Sequence, residues 1–214
     1  MTTVLGKIQR YRIIPLLVMD EPAVAGALAS ALSDGGLPIA EVAFRTPAAL
    51  EALRAMAAAH PDMLVGAGTV LTRDAAASAR DAGAAFVVSP GMQRAVVEFC
   101  LAHDLPVFPG VCTPTEVGAA LDLGLRVLKF FPAEAIGGLP YLQAIAAPFP
   151  DVRFIPTGGI TAANLPGYLA SPRVVACGGS WMAPQAWIAA GEFDRIRRAV
   201  EQAVRLVPPP SMER

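Results

Sequence analysis

The chain has 214 residues, 54% of them hydrophobic and 16% charged, with a net charge of −1. So much apolar content excludes a disordered polymer, and the near-neutral balance offers no basic field for nucleic acid or anionic lipid. One domain over residues 1–214 is expected, and no apolar stretch reaches the length of a membrane helix.

Strand-like apolar runs alternate with alanine-rich helical stretches throughout. Residues Met1 to Met19 place Lys7, Arg10 and Arg12 before a short run, Ile13–Met19. Lacking a small-residue cleavage site, the run reads as a first strand preceded by a lead-in, not as a signal peptide. A helix follows from about Pro22 to Ser33, with proline suited to its first turn and Gly35-Gly36 to its stop. Next come Ile39–Arg45 and a helix opened by Thr46-Pro47 that runs to about His60. Leu64–Val70 leads into a helix that Thr72 caps and Gly83 ends. Ala85–Ser89 precedes Gln93–His103, and Val107–Cys112 precedes Pro114–Leu123, stopped by Gly124. Val127–Phe131 is followed by a glycine-rich loop and a helix near Tyr141–Ala146. Arg153–Thr157 leads to a helix near Ala162–Ala170, and Val174–Cys177 is the last strand. An amphipathic helix, about Phe193–Leu206, ends at Pro208-Pro209-Pro210.

Eight strand–helix units with short connections imply parallel strands, because each crossover needs a helix. Eight such units in little more than 200 residues predict an α/β fold, a compact (β/α)8 barrel, rather than an open doubly wound sheet. Chemistry in such a barrel gathers at the C-terminal ends of the strands.

One charged residue stands inside an apolar strand run there. Lys129 is flanked by Val127, Leu128, Phe130 and Phe131, in a chain with two lysines and fifteen arginines. An isolated ammonium in an apolar interior is very costly, so this lysine either pairs with a buried carboxylate or gives up its proton. Uncharged, it is a nucleophile for carbonyl carbon. Glu41 is the carboxylate within a strand run, and the two explain each other either as a buried salt bridge or as a nucleophile with its acid/base. Arg45, four residues on, shares a strand face with Glu41 at about 13 Å and offers a fork for a substrate carboxylate. Arg126, Arg153 and Arg173 stand at strand beginnings and read as rim charges.

Gly158-Gly159 and Gly178-Gly179-Ser180 follow the last two strands. Glycine lets an anion approach backbone N–H groups, and these loops are where barrels commonly hold phosphate. No metal site is expected: His60 and His103 fall near helix ends, and only Glu41 and Glu134 are acidic at the strand tips. Three widely spaced cysteines, Cys100, Cys112 and Cys177, suit reduced thiols in a cytoplasmic protein.

Several of these stretches carry a resemblance. Glu41-Val42 with Arg45-Thr46, Val65 to Val70 (VGAGTV), Ser89-Pro90-Gly91, Lys129 to Glu134 (KFFPAE), Pro156 to Ile160 (PTGGI) and Gly178-Gly179-Ser180-Trp181 occur in order at strand ends. From Ile14-Pro15 to beyond Ser180 the chain resembles the KDPG/KHG aldolase family, class I aldolases that include 2-keto-3-deoxy-6-phosphogluconate aldolase of the Entner–Doudoroff pathway. The resemblance implies Lys129 as the Schiff-base lysine and Glu41 as general acid/base. It implies Arg45 and Thr69 on the carboxylate of the pyruvate half, with Pro90 and Phe131 lining the pocket. Gly158, Gly159, Gly179 and Ser180 would bind phosphate, and Thr157 would contact the C4 hydroxyl. A threonine there favours the gluconate-derived substrate, since relatives acting on the galactonate epimer tend to carry an apolar residue. Ala43 and Phe44 depart from the Thr-Leu often found between the Glu and the Arg, and Cys112 stands where Ser is usual. The implied products are pyruvate and glyceraldehyde 3-phosphate, with neither metal nor cofactor, in a homotrimer. Other readings of the residues are a phosphosugar epimerase or decarboxylase and a non-catalytic phosphosugar sensor.

Overall fold

A computed structural model describes residues 3–208. It opens with α1 (Val4–Tyr11), β1 (Ile13–Leu17), α2 (Ala25–Asp34), β2 (Ile39–Ala43), α3 (Ala49–Ala59) and β3 (Leu64–Gly68). Then come α4 (Arg73–Asp81), β4 (Phe86–Val88), α5 (Arg94–Ala102), β5 (Val107–Phe108), β6 (Gly110–Val111) and α6 (Pro114–Asp122). The rest is β7 (Val127–Phe130), α7 (Gly138–Ala146), β8 (Arg153–Pro156), α8 (Leu165–Leu169), β9 (Cys177–Gly179), α9 (Gln185–Ala189) and α10 (Phe193–Arg205). Pro209 and Pro210, read above as part of the stop after the last helix, lie outside the described residues.

The strand pairings are parallel and form two sheets, β5-β4-β3-β2-β1-β9 and β6-β7-β8. The expected alternation and parallel α/β class are therefore present, but the strands are not in one continuous ladder. The division has a chemical cause at Pro109, in the middle of the predicted fifth strand. Proline has no N–H to give a ladder, so the run splits into β5 and β6. The Pro109 carbonyl still accepts from Lys129 N at 3.0 Å. Across the other gap, two isolated parallel bridges, Phe154 with Val174 and Thr157 with Gly178, run between β8 and the segment that carries β9.

Three further differences have local reasons. The lead-in is helical: Thr3 caps α1 by accepting from Gly6 N at 3.1 Å, and Arg12 closes it in a left-handed conformation at φ 60°. The second strand stops at Ala43 instead of Arg45, because Arg45 N turns back to the Ala43 carbonyl at 2.8 Å. Gly178 and Gly179 are buried strand residues rather than loop. A Cβ on Gly178 would lie 2.5 Å from Thr157 Oγ1, and one on Gly179 would lie 2.0 Å from the Trp181 ring. The predicted cap is in place at Thr72, which accepts from Ala75 N, and Thr113 adds a reciprocal capping box with Glu116.

Strand alternation sorts the core into two layers. Leu128 and Phe130 face the helices, with the Phe130 ring 6.1 Å from that of Tyr141 on α7 and 6.3 Å from that of Phe154. Lys129 takes the opposite face. There, glycines on β3 make room for larger neighbours: Phe86 occupies the Cβ direction of Gly66, and Glu41 occupies that of Gly68.

Cys100 and Cys177 are buried in this core and Cys112 is half-buried, all as free thiols. Burial pushes Cys100 up from 9.0 to about 11 and Cys177 up to about 12, the latter against a smaller opposing pull from Arg12. A thiol held above its unfolded value favours the fold at low pH. This contribution is constant below about 9.0 and is lost as pH rises toward 11 and 12. Alkylation at neutral pH is expected to modify only Cys112 in the folded protein and all three thiols in denaturant, as counted by intact mass.

Candidate active site

Glu41 and Lys129 are the only Asp, Glu, Lys or Arg side chains that are buried among the described residues, at 2% and 3% exposure. Register explains their meeting. On β2, Glu41 lies between Leu16 and Gly66; on β7, Lys129 lies between Gly110 and Ile155. The two strands belong to different sheets, yet Lys129 Nζ comes within 3.6 Å of Glu41 Oε1. That separation is an ion pair but not a hydrogen bond, and Glu41 Oε1 is buried with no hydrogen-bond partner. A buried ion pair repays its desolvation only with excellent geometry and additional hydrogen bonds. This one has neither, so it is a poor brace and leaves a carboxylate oxygen free to accept a proton or a hydroxyl.

The neighbours of the pair link it to the loops after β3 and β8. The Phe131 ring lies with its centroid 4.9 Å from Lys129 Nζ, covering one side of the amine. The same ring lies 3.3 Å from where a Gly158 Cβ would stand, so it connects the amine to the loop after β8. On the Glu41 side, Thr69 follows Gly68 with φ 57°, a left-handed conformation uncommon for a β-branched residue. Its hydroxyl accepts from Arg45 Nε at 3.2 Å, so the turn after Ala43 aims an exposed guanidinium at the loop after β3. The expected shared face of Glu41 and Arg45 is therefore replaced by a bend, and Thr69 is what Arg45 meets. Pro90 is half-buried beyond β4; its carbonyl lies 2.1 Å from where a Cβ on Gly110 would stand, so only glycine fits there.

The loop after β8 is oriented by its carbonyls. Thr157 O accepts from Ala133 N at 2.9 Å and Gly158 O from Glu134 N at 3.0 Å. In a planar trans peptide the N–H points opposite to the C=O, so the amides of Gly158 and Gly159 are directed away from the β7 loop. Neither amide has a hydrogen-bond partner among the described residues. Both glycines have positive φ, 96° and 81°. Two free N–H groups on adjacent glycines suit an anion. The Thr157–Gly178 bridge puts the end of β9, and exposed Ser180 after it, beside this loop. Thr157 is buried, and its hydroxyl donates to the Ile155 carbonyl at 3.4 Å.

Two contacts around this loop had little signal in the sequence. Asn164 clasps it, with Nδ2 donating to Gly159 O at 3.0 Å and Oδ1 accepting from Thr161 N at 2.8 Å; the Thr161-x-x-Asn164 spacing is the only hint. Tyr168, on α8, donates a short hydrogen bond to Glu134 Oε1. Burial, followed by that carboxylate, pushes the Tyr168 phenol far up, so it stays a donor at any ordinary pH. His60 and His103 are away from this pocket at the ends of α3 and α5, paired with Ser30 Oγ and the Phe99 carbonyl. Among the described residues no group of three or more His, Cys, Asp or Glu could hold a metal ion, and no helix is long and apolar enough to cross a membrane.

The family model for KDPG and KHG aldolase matches residues 4–199. The chain is 47% identical over 207 residues to 2-dehydro-3-deoxy-phosphogluconate aldolase of Treponema pallidum, covering 97% of this chain and 99% of that one. It is 43% identical over 192 residues to the KHG/KDPG aldolase of Escherichia coli K12, covering 90% of each. Among solved structures it matches KDPG aldolase from Legionella pneumophila, captured with pyruvate as a covalent carbinolamine intermediate. That match has a TM-score of 0.91 at 38% identity, with 94% of this chain and 98% of that one covered. The chain belongs to the KDPG and KHG aldolase family.

Proposed function

We propose that the protein is a class I aldolase that cleaves 2-dehydro-3-deoxy-6-phosphogluconate to pyruvate and D-glyceraldehyde 3-phosphate. The observation that carries this reading is the Lys129–Glu41 pair, buried and 3.6 Å apart with a carboxylate oxygen left unbonded. Lys129 attacks the C2 ketone, and loss of water from the carbinolamine gives an iminium. Glu41, through a water, moves protons in that dehydration and then takes the C4 hydroxyl proton. The C3–C4 bonding electrons pass into the iminium, leaving an enamine and releasing C4 as the aldehyde. Protonation at C3 and hydrolysis of the new iminium free pyruvate and return the amine.

Arg45 and Thr69 hold the substrate carboxylate in this reading, and Pro90 and Phe131 wall the pyruvate half. Gly158, Gly159, Gly179 and Ser180 take the phosphate, supported by the two unpartnered amides. Thr157 meets the C4 hydroxyl and favours the gluconate-derived epimer over the galactonate one; 4-hydroxy-2-oxoglutarate is a second substrate.

The two sheets make the wall of one eight-stranded (β/α)8 barrel within a single domain. This is supported by β5 and β6 being halves of one run, by the bridges from β8 to the β9 segment, and by the pairing of β9 with β1. A cytoplasmic homotrimer without cofactor is the setting, carried by the family resemblance and by the free thiols. Incubation with pyruvate followed by borohydride is expected to add a single reduced pyruvyl group, mapped by peptide mass to Lys129. An unmodified Lys129 would refute the Schiff base and return the epimerase or decarboxylase reading.

A further inference from the structure

Glu134 is an acidic residue at a strand tip that the mechanism does not use, and the fold gives up two side chains to seat it. A Cβ on Gly159 would lie 2.6 Å from Glu134 Cβ, and one on Gly138 would lie 3.0 Å from Glu134 Oε1. Its stem therefore rests on Gly159, one of the two glycines whose amides are free, while its carboxylate is drawn off to the buried Tyr168 hydroxyl. Glu134 and Tyr168 also line a groove of about 580 Å³ beside the loop, which leaves the carboxylate room to move if it is released. A carboxylate this close to an anion cradle repels a phosphate.

We propose that Tyr168 is a positioning residue that holds the Glu134 carboxylate back from the Gly158-Gly159 loop, and so keeps its negative charge off the phosphate of the substrate. The proposal rests on the aldolase reading only for the identity of the anion. Without the phenol, the freed carboxylate turns toward the loop and its charge weakens phosphate binding there, and removing that charge ends the repulsion.

The test is Tyr168→Phe, which keeps the buried ring, alone and combined with Glu134→Gln. In Tyr168→Phe, KM for the phosphorylated keto acid and Ki for inorganic phosphate are expected to rise together by about tenfold, with a much smaller change in kcat. The double variant is expected to bring both back to within about twofold of the parent. Trapping of pyruvate on Lys129 by borohydride is measured on every variant, since it reports the lysine chemistry and not the phosphate cradle. Unchanged KM and Ki in Tyr168→Phe, or a rise that Glu134→Gln fails to relieve, overturns the proposal. If the parent itself traps no pyruvate, the aldolase reading fails instead, and calorimetric titration with inorganic phosphate applies the same criterion to the cradle.

Discussion

Lys129→Ala is expected to fold, to form no borohydride-stable adduct with pyruvate, and to lose on the order of 10⁴-fold in kcat/KM. No nearby group can replace it: the other lysine is Lys7, on α1, ahead of the first strand. The variant also carries a stability cost, because Glu41 is 2% exposed and Lys129 is the cation within ion-pair distance of it. Stranding a buried charge costs roughly 3–5 kcal/mol, against a total of about 5–15 kcal/mol for an ordinary domain. The urea midpoint should therefore fall without loss of the folded baseline. Adding Glu41→Gln should restore much of the midpoint and none of the activity, which separates the electrostatic cost from the chemical one. Near-normal cleavage by Lys129→Ala would overturn the assignment of the nucleophile.

Gly68→Ala is expected to damage catalysis without removing a reacting group. Its Cβ would stand 2.2 Å from Glu41 Oε1 and 2.6 Å from Glu41 Cγ, so the carboxylate must shift. Glu41 is enclosed, and any shift changes its reach to Lys129. Misplacement by about 1 Å is worth on the order of 100-fold in rate, and the overpacking about 1–3 kcal/mol in stability. Gly118, within α6, is the control: nothing lies within 4 Å of its Cβ direction. Gly118→Ala should leave kcat alone and stabilise by about 0.5–1 kcal/mol through helix propensity. Stopped-flow kcat and thermal midpoints for the two variants check this. A Gly68→Ala enzyme with kcat within about twofold of the parent would show that the position of Glu41 is not limiting.

What could be read in the sequence follows from the range of the interactions involved. The alternation of strands and helices was legible because binary patterning and a cap such as Thr72 act over a few residues. Lys129 and Glu41 stood out because a charge within an apolar run needs a reason. The α1 helix was missed although Val4, Leu5 and Ile8 have helical spacing and Thr3 is a capping residue, because so short a lead-in carries few periods. The five-residue helix α9 has too little pattern to register. The end of the second strand was misplaced because a turn at Arg45 is set by Thr69, a partner 24 residues away. Glycines at 178 and 179 read as loop because their reason, space for Thr157 and Trp181, exists only in three dimensions. The contact of Tyr168 with Glu134 spans 34 residues and leaves no local trace.

The reacting amine and its acid partner ride on separate plates, Lys129 on the three-stranded sheet and Glu41 on the six-stranded one. No ladder hydrogen bond within either plate fixes the gap between them; it is fixed by how the plates seat, at the proline break on one flank and the two single bridges on the other. The nucleophile's reach to its acid partner is thus set by the seating of the smaller plate and not by either ladder. Substitutions at those two flanks can therefore tune turnover from a distance, leaving the composition of the pocket as it was.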